Sequence, residues 1–270
     1  MDRYGVIGNP VEHSKSPQIH SRFAEQTGES LSYEKVFAEE DAFADTVQHF
    51  RQAGGKGLNV TVPFKQQAFD IADEVSERAR MAEAVNTLSF TDEGQILADN
   101  TDGAGLVNDL TRNLGLTLKD RNILILGAGG AVRGVLGPLL AEHPRHIVIA
   151  NRTLEKAILL ADHFCTWGNL SGCDYGELGT QAFDLIINGT SMGLSGQMPE
   201  LPNDILKPGA AVYDMAYGNE PTAFQQWGKA HGAATAADGL GMLVEQAAES
   251  FYIWRGVRPD TAEIRKTLSN

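Results

Sequence analysis

The sequence predicts an α/β protein, with parallel sheets covered by crossover helices and the chain organised in two blocks. Three observations carry this expectation. Short apolar runs that read as strands alternate with stretches of helical periodicity along the whole chain, the pattern of repeated βαβ units. One such run is followed at once by Gly127-Ala128-Gly129-Gly130 and then by another helical stretch. The 270 residues sit at the upper end for one hydrophobic core, so one large or two modest domains are expected.

The elements follow in order. Residues 4–7 form a strand stopped by Gly8-Asn9-Pro10. Pro17 occupies a first-turn position and Ile19, Phe23 and Ala24 share a helical face. Residues 31–37 are a strand, and Phe43, Val47 and Phe50 recur at helical spacing until Gly54-Gly55. A strand is expected over 57–62, closed by Pro63, with Asn59 and Thr61 on one face by alternation. Helices follow over 64–72 and 76–84. Residues 87–90 and 95–98 flank an Asp-Glu-Gly turn and read as a hairpin. A second block begins near Asp102, where Leu106, Leu110 and Leu114 line a helix ended by Gly115. Strands at 122–126, 146–150, 184–188, 211–214 and 233–236 alternate with helices at 131–141, 154–164 and 222–231. Helices at 240–254 and 260–268, the latter capped by Asp260, complete the chain.

Composition excludes several classes of function. Lys plus Arg number 22 against 35 Asp plus Glu, a net charge of −13, which argues against a nucleic-acid partner and against docking on an anionic membrane. The N-terminal stretch has no basic segment leading into an apolar one, and no apolar run approaches the length of a membrane span. Cys165 and Cys173 make neither a disulfide framework nor a zinc pattern and read as incidental cytosolic thiols; no metal site is expected.

The glycine-rich bend is the first candidate site. Glycines between a strand and a helix let the backbone turn tightly and approach a diphosphate, and the helix start offers free N–H groups. Gly127, Ala128, Gly129, Gly130 and Ala131 are therefore candidate dinucleotide ligands, although Val132 departs from the strict fingerprint at its sixth position. At the end of the next strand an NAD enzyme usually carries an acid for the ribose hydroxyls. This chain instead has Asn151-Arg152-Thr153, with a guanidinium and a hydroxyl suited to a 2′-phosphate, which favours NADP. Asn151 and Thr153 are also read as caps of the helix at 154.

Polar residues cluster at strand ends in the first block. His13-Ser14-Lys15-Ser16-Pro17 precedes a helix and suits a carboxylate, although alone it reads as an ordinary helix start. Asn59-Val60-Thr61-Val62-Pro63-Phe64-Lys65, Ala84-Val85-Asn86-Thr87 and Asn100-Thr101-Asp102-Gly103 follow. Farther on stand Asn188-Gly189-Thr190-Ser191, Asp214-Met215-Ala216-Tyr217 and Asp238-Gly239-Leu240-Gly241-Met242-Leu243-Val244-Glu245-Gln246. Together, in this order and over nearly the whole chain, these motifs resemble the shikimate dehydrogenase family, NADP-dependent enzymes of the route to chorismate and the aromatic amino acids.

The resemblance implies two α/β domains flanking a groove. Residues 1–101, completed by 239–270, would bind substrate, and 102–238 would form a Rossmann-like NADP domain. It implies that Ser14 and Ser16 bind the shikimate carboxylate and that Thr61, Asn86, Asp102 and Gln246 surround the ring hydroxyls, with Asn59 and Tyr217 close by. Lys65 and Asp102 would be the catalytic pair. Gly127 to Ala131, Asn151 to Thr153, Thr190, Ser191, Met215 and Gly239 would contact NADP, although Met215 also reads as a core filler. The implied partner is a small-molecule substrate in a cytoplasmic monomer or homodimer. A quinate/shikimate dehydrogenase that often takes NAD, and a catalytically silent ligand-binding homologue, are the competing readings. Arg152→Asp should raise the Michaelis constant for NADPH about tenfold or more while leaving that for NADH nearly unchanged; equal effects on both cofactors would refute the 2′-phosphate assignment.

Overall fold

The first strand, β1 (Asp2–Gly8), is buried over its last five residues, on both faces, so it belongs inside a sheet rather than at an edge. A computed structural model, describing residues 1–179, 181–190, 192 and 197–268, places it there. The chain continues through α1 (Ser16–Thr27), β2 (Leu31–Phe37), α2 (Phe43–Gln52), β3 (Gly55–Val60), α3 (Lys65–Asp70), β4 (Glu74–Val75), α4 (Glu77–Ala82), β5 (Thr87–Phe90), β6 (Ile96–Asp99) and α5 (Asp102–Asn108). A π-helical turn at Asp109–Asn113 extends α5. Then come β7 (Asn122–Leu126), α6 (Gly130–Ala141), β8 (His146–Ala150), α7 (Leu154–Phe164), β9 (Leu170–Cys173), β10 (Phe183–Asn188), β11 (Leu206–Asp214), α8 (Ala223–Ala230) and β12 (Thr235–Ala237). The chain finishes in α9 (Leu240–Arg255) and α10 (Ala262–Leu268).

Two compact units result, one of Met1–Gly105 with Leu243–Leu268 and the other of Leu106–Met242. Both breaks fall inside helices, α5 and α9, rather than at the 101/102 and 238/239 junctions expected from the motifs. Asp102 accordingly lies in the first unit.

The first unit holds a six-stranded sheet in the order β2-β1-β3-β5-β6-β4. β1 runs parallel to β2 and β3, but β5 is antiparallel to both β3 and β6, so the hairpin makes this sheet mixed rather than parallel. β3 occupies 55–60, two residues earlier than expected. Gly54 alone ends α2 and Gly55 already pairs with Arg3. At the other end Phe64 N donates to Thr61 O (3.0 Å), and this turn, with Pro63 lacking an N–H, stops the strand before Thr61. Thr61 therefore lies beyond the strand, joined to it by one further bond from its N–H to Ile7 O (3.0 Å). One face of the sheet carries Val47, Phe50, Phe64, Ala68 and Leu88; the other carries Ile19 and Phe23 of α1, Val244 and Phe251 of α9 and Ile264 of α10. Asp260 Oδ1 accepts from Ala262 N (2.9 Å), as its expected capping role requires.

The second unit holds a six-stranded sheet in the order β12-β11-β10-β7-β8-β9, parallel throughout. Read from β9, the strand order is 3-2-1-4-5-6, the doubly wound arrangement whose order reverses between β7 and β10. β9, β4 and the π-helical turn carry no clear signal in the sequence: β4 is two residues long, and β9 reads Leu-Ser-Gly-Cys without apolar alternation. No helix among the described residues is long and apolar enough to cross a membrane. Cys165 and Cys173 are unpaired with each other, and burial followed by the Glu177 and Asp174 charges pushes the Cys173 thiol up to about 11.

One buried and one half-buried group make the stability of the first unit depend on pH. His20 of α1 is fully buried, its ring stacked on Tyr33 at 4.3 Å, with neither nitrogen hydrogen-bonded. Desolvation lowers its pKa from 6.5 to about 3. The unfolded chain then binds a proton that the folded one refuses, so stability falls as pH drops below 6.5. His20→Phe should lose roughly 2–3 kcal/mol less than the parent between pH 7 and 4.5, measured by urea unfolding; an unchanged slope would refute the assignment.

Arg78 of α4 grips Asp99 with Nε to Oδ1 (2.7 Å) and Nη2 to Oδ2 (2.8 Å), and reaches Glu249 of α9 with Nη1 (3.1 Å). Burial raises the Asp99 carboxyl, but Arg78 and the Ser76 hydroxyl outweigh it and hold the group below 3.8. This contribution is complete above 3.8 and disappears as pH falls through the lowered value. Arg78→Met should cost about 1–3 kcal/mol at pH 7, with the gap to the parent closing in acid below 3.8; a gap independent of pH would show that the ion pair is not its source.

Candidate active site

Parallel strands end together, so residues just past β1, β3 and β6 are brought close whatever their distance in sequence. In the first unit this edge collects Lys65, Asn86, Asp102 and Gln246. Lys65 opens α3 immediately after the Thr61–Phe64 turn, and its carbonyl accepts from Val85 N (2.9 Å), which ties the helix start to the bend that carries Asn86 just before β5. Asp102 opens α5 just past β6. The backbone N–H of Asp102 is satisfied by Asn100 Oδ1 (3.1 Å), so the Asp102 carboxylate faces the cluster instead of capping its own helix.

Lys65 Nζ donates to Asp102 Oδ2 in an ion pair whose side chains are 31% and 14% exposed, partly dry but open on one side. Asn86 Nδ2 donates to the other carboxylate oxygen, Oδ1, at 2.8 Å. Gln246 Nε2 is engaged by Leu243 O (2.9 Å), one turn back in α9, which leaves Oε1 directed at Asn86 Nδ2 (3.3 Å). A cation, a carboxylate and two carboxamides therefore converge. Such a group can hold a polyhydroxylated ligand and pass a proton to a ligand oxygen.

The remaining expected substrate residues are placed as follows. Ser14 Oγ accepts from Ser16 N (3.3 Å) at the start of α1, so both serines sit in one turn. Ser16 is buried and Thr61 half-buried. Asn59 is buried and turned inward: its Nδ2 faces Asn86 O (3.2 Å), Thr87 Oγ1 (3.2 Å) and Ser250 Oγ (2.9 Å), and its Oδ1 accepts from Tyr33 (2.7 Å). Its amide is thus fully used within the protein. Tyr217 lies in the second unit, following β11, and is 38% exposed. Thr87, Thr101, Ser250 and Tyr33 join the same polar cluster without having been singled out as candidates. The Gln246–Ser250 spacing of four on one helix was the available signal for Ser250.

In the second unit the expected dinucleotide residues gather at the carboxyl ends of the strands. Gly127 (φ +102) follows β7, and Gly189 N donates to Leu126 O (2.9 Å) where β7 and β10 lie side by side. A Cβ on Gly189 would meet Val132 Cγ2 at 2.5 Å. The close approach of helix to strand is thus supplied by Gly189, which explains why Val132 stands where a third glycine is usual. Ala128, Gly129, Gly130 and Ala131 are at least partly open, and a Cβ on Gly129 or Gly130 would meet nothing within 4 Å. The start of α6 therefore presents exposed backbone that a diphosphate can approach closely.

Arg152 and Thr153 are exposed at the end of β8. The capping role read from the sequence is not found: Thr153 makes no side-chain cap bond, and Asn151 Nδ2 donates to Thr153 O (2.9 Å). Asn188 Oδ1 takes both the Thr190 N–H (3.1 Å) and hydroxyl (2.8 Å), and Asn188 Nδ2 donates to Asp214 Oδ1 (3.1 Å). Desolvation raises the buried Asp214 carboxyl. Met215 N donates to Asn188 O (2.9 Å), and a Cβ on Gly239 would lie 2.2 Å from Met215 O, so only glycine fits there. Ser191 lies outside the described residues. Among the described residues no group of three or more His, Cys, Asp or Glu is arranged to hold a metal ion.

Known proteins resemble this chain in sequence and fold. Residues 6–88 match the family model described as the shikimate dehydrogenase substrate binding domain, 109–194 that of shikimate / quinate 5-dehydrogenase, and 239–268 that of the shikimate 5'-dehydrogenase C-terminal domain. A relative named shikimate dehydrogenase (NADP(+)), from Alkalilimnicola ehrlichii, is 56% identical over 267 residues, 99% of this chain and 98% of its own. The crystal structure of an Ael1 enzyme from Pseudomonas putida has a TM-score of 0.94 at 47% identity, covering 100% of this chain and 99% of that one. That of shikimate 5-dehydrogenase from Thermus thermophilus, in complex with NADP(H) and shikimate, has a TM-score of 0.86 at 32% identity, covering 98% of each chain. The chain belongs to the shikimate dehydrogenase family.

Proposed function

We propose that this chain is an NADP-dependent shikimate dehydrogenase, catalysing the reversible reduction of the ring ketone of 3-dehydroshikimate to shikimate on the route to chorismate. The observation that carries the reading is the Lys65–Asp102 ion pair with Asn86 on the free carboxylate oxygen. The ammonium is the proton carrier and the partly buried cation that ketone reduction requires.

Ser14 and Ser16 take the substrate carboxylate, and Thr61, Asn86, Asp102 and Gln246 take the ring hydroxyls. Tyr217 is assigned to the substrate from its motif. Asn59, whose amide is spent inside the protein, contributes by fixing Asn86. The glycine-rich bend of Gly127 to Ala131, open from Ala128 onward, takes the diphosphate of NADP, Asn151, Arg152 and Thr153 take the 2′-phosphate, and Thr190, Ser191, Met215 and Gly239 border the rest of the cofactor. Absence of an acid at the end of β8 removes the repulsion a 2′-phosphate would otherwise meet.

When bound, NADPH supplies the hydride. Lys65 donates a hydrogen bond to the ketone oxygen and passes it a proton as negative charge develops there. Asp102 holds the ammonium by one oxygen and is itself held by Asn86 through the other, so the lysine is aimed before substrate arrives. In the reverse direction neutral Lys65 accepts the hydroxyl proton. The reading assigns the enzyme to the cytoplasm as a monomer or homodimer without a nucleic-acid partner, in keeping with its net charge of −13.

The test is an absorbance assay of shikimate and quinate, each with NADP and with NAD. NADPH formation from shikimate, well above the other three combinations, is expected; no turnover of shikimate would overturn the reading, and preference for quinate with NAD would reassign it within the family. Lys65→Ala should lower turnover by about 10²–10⁴ with little change in the Michaelis constant for shikimate; retention of most turnover would remove Lys65 from the chemistry.

A further inference from the structure

Thr87 begins β5, where it is paired in register with Asn59 of β3 and Asp99 of β6, and is 1% exposed. Its hydroxyl has three polar neighbours: Asn86 Oδ1 at 2.9 Å, Ser250 Oγ at 2.8 Å and Asn59 Nδ2 at 3.2 Å. A hydroxyl has one proton to give and two lone pairs. Asn86 Oδ1 can only accept and the Asn59 amide nitrogen can only donate. The Thr87 proton therefore goes to Asn86 Oδ1, and its lone pairs face the Asn59 amide and the Ser250 hydroxyl, whose own proton is shared between Thr87 and Gln246 O (3.1 Å). The second donor to Asn86 Oδ1 is the backbone N–H of Thr101 (2.8 Å). With Oδ1 occupied by these two, the amide nitrogen must face Asp102 Oδ1. The reverse orientation would set Oδ1 against a carboxylate oxygen.

We propose that Thr87 is a positioning residue for the reaction: by donating to Asn86 Oδ1 it holds the Asn86 amide toward Asp102, and through Asp102 it aims Lys65. The hydroxyl works within a buried relay that runs from Tyr33 through Asn59 and Ser250 to Thr87 and Asn86. Thr87 touches neither substrate nor cofactor in this scheme. The proposal rests on the assignment of Lys65, Asn86 and Asp102 to the substrate site.

Three variants test it. Thr87→Val keeps the branched shape and removes the hydroxyl; Thr87→Ala removes the same donor without setting a second methyl against Asn59 and Ser250, and supplies the reading if the valine variant does not fold. Thr87→Ser restores the donor. Losing a buried donor to a positioned amide should lower kcat/KM for shikimate about ten- to a hundredfold, with the Michaelis constant for NADP within about twofold of the parent and the serine variant recovering to within about threefold. A valine or alanine variant within threefold of the parent, a serine variant as impaired as alanine, or an equal loss toward NADP would each overturn the proposal. Asn86→Ala, assayed alongside, separates the two readings. If it behaves as the parent, the site assignment fails and the proposal with it. If it is impaired while Thr87→Ala is not, the positioning role of Thr87 alone fails.

Discussion

A buried carboxamide must find partners for its oxygen and for both amide hydrogens, and in the first unit the rest of the site depends on how Asn86 does so. Asn86 is 3% exposed. Its oxygen takes Thr101 N and the Thr87 hydroxyl, and its nitrogen gives to Thr101 Oγ1 (2.9 Å) and Asp102 Oδ1. An unsatisfied group at this depth costs about as much as a whole hydrogen bond, so these partners stay together or fail together. Since they come from β5, the turn after β6 and, through Gln246 and Ser250, from α9, one side chain ties the strand edge to the C-terminal helix. The Lys65–Asp102 ion pair sits at the outer margin of this cluster, where Asp102 is already oriented from within.

Electrostatics and sterics divide the work differently in the two units. In the first, Lys65 is neutralised by Asp102 at the point where a reacting oxygen is assigned. In the second, the decisive features are places where no side chain fits. Gly189 admits Val132 of α6, and Gly239 admits the Met215 carbonyl. These contacts bring the ends of β7, β10, β11 and the start of α9 together around a backbone cradle rather than around a charged residue. A chain of net charge −13 can therefore bind anions. Backbone N–H groups and single cations such as Arg152 act at contact distance, while remote carboxylates are screened beyond about 10 Å at 0.1 M salt.

Much of the fold is legible because strand and helix periods are local. β2, β7, β8 and α7 occupy the residues that apolar patterning indicates, and the hairpin of β5 and β6 forms about its Asp-Glu-Gly turn. Illegible pieces share one cause, reliance on partners distant in sequence. β4 is two residues held by β6, and β9 lacks an apolar pattern because its identity comes from pairing with β8. β3 ends early because the Thr61–Phe64 turn overrides the β-branched run that precedes Pro63.

For the site, the sequence by itself singled out the motifs to which chemistry is assigned: the glycine bend, Asn151-Arg152-Thr153, Lys65, Asn86, Asp102 and Gln246. Most of these stand beside a strand end, which is a local feature, whereas Gln246 lies inside α9. What each amide and hydroxyl does was decided by tertiary structure alone. Asn59, placed by alternation beside Thr61 on a ligand-facing strand, is turned inward and consumed by Tyr33, Thr87 and Ser250. Thr153, a plausible side-chain cap in sequence, accepts from Lys156 N of α7 with its carbonyl (3.1 Å) and not with its hydroxyl, and Asn151 spends its amide on Thr153 O. A carboxamide or hydroxyl both donates and accepts, so its role is set by which partners reach it, and those partners lie as far as 191 residues away in the chain.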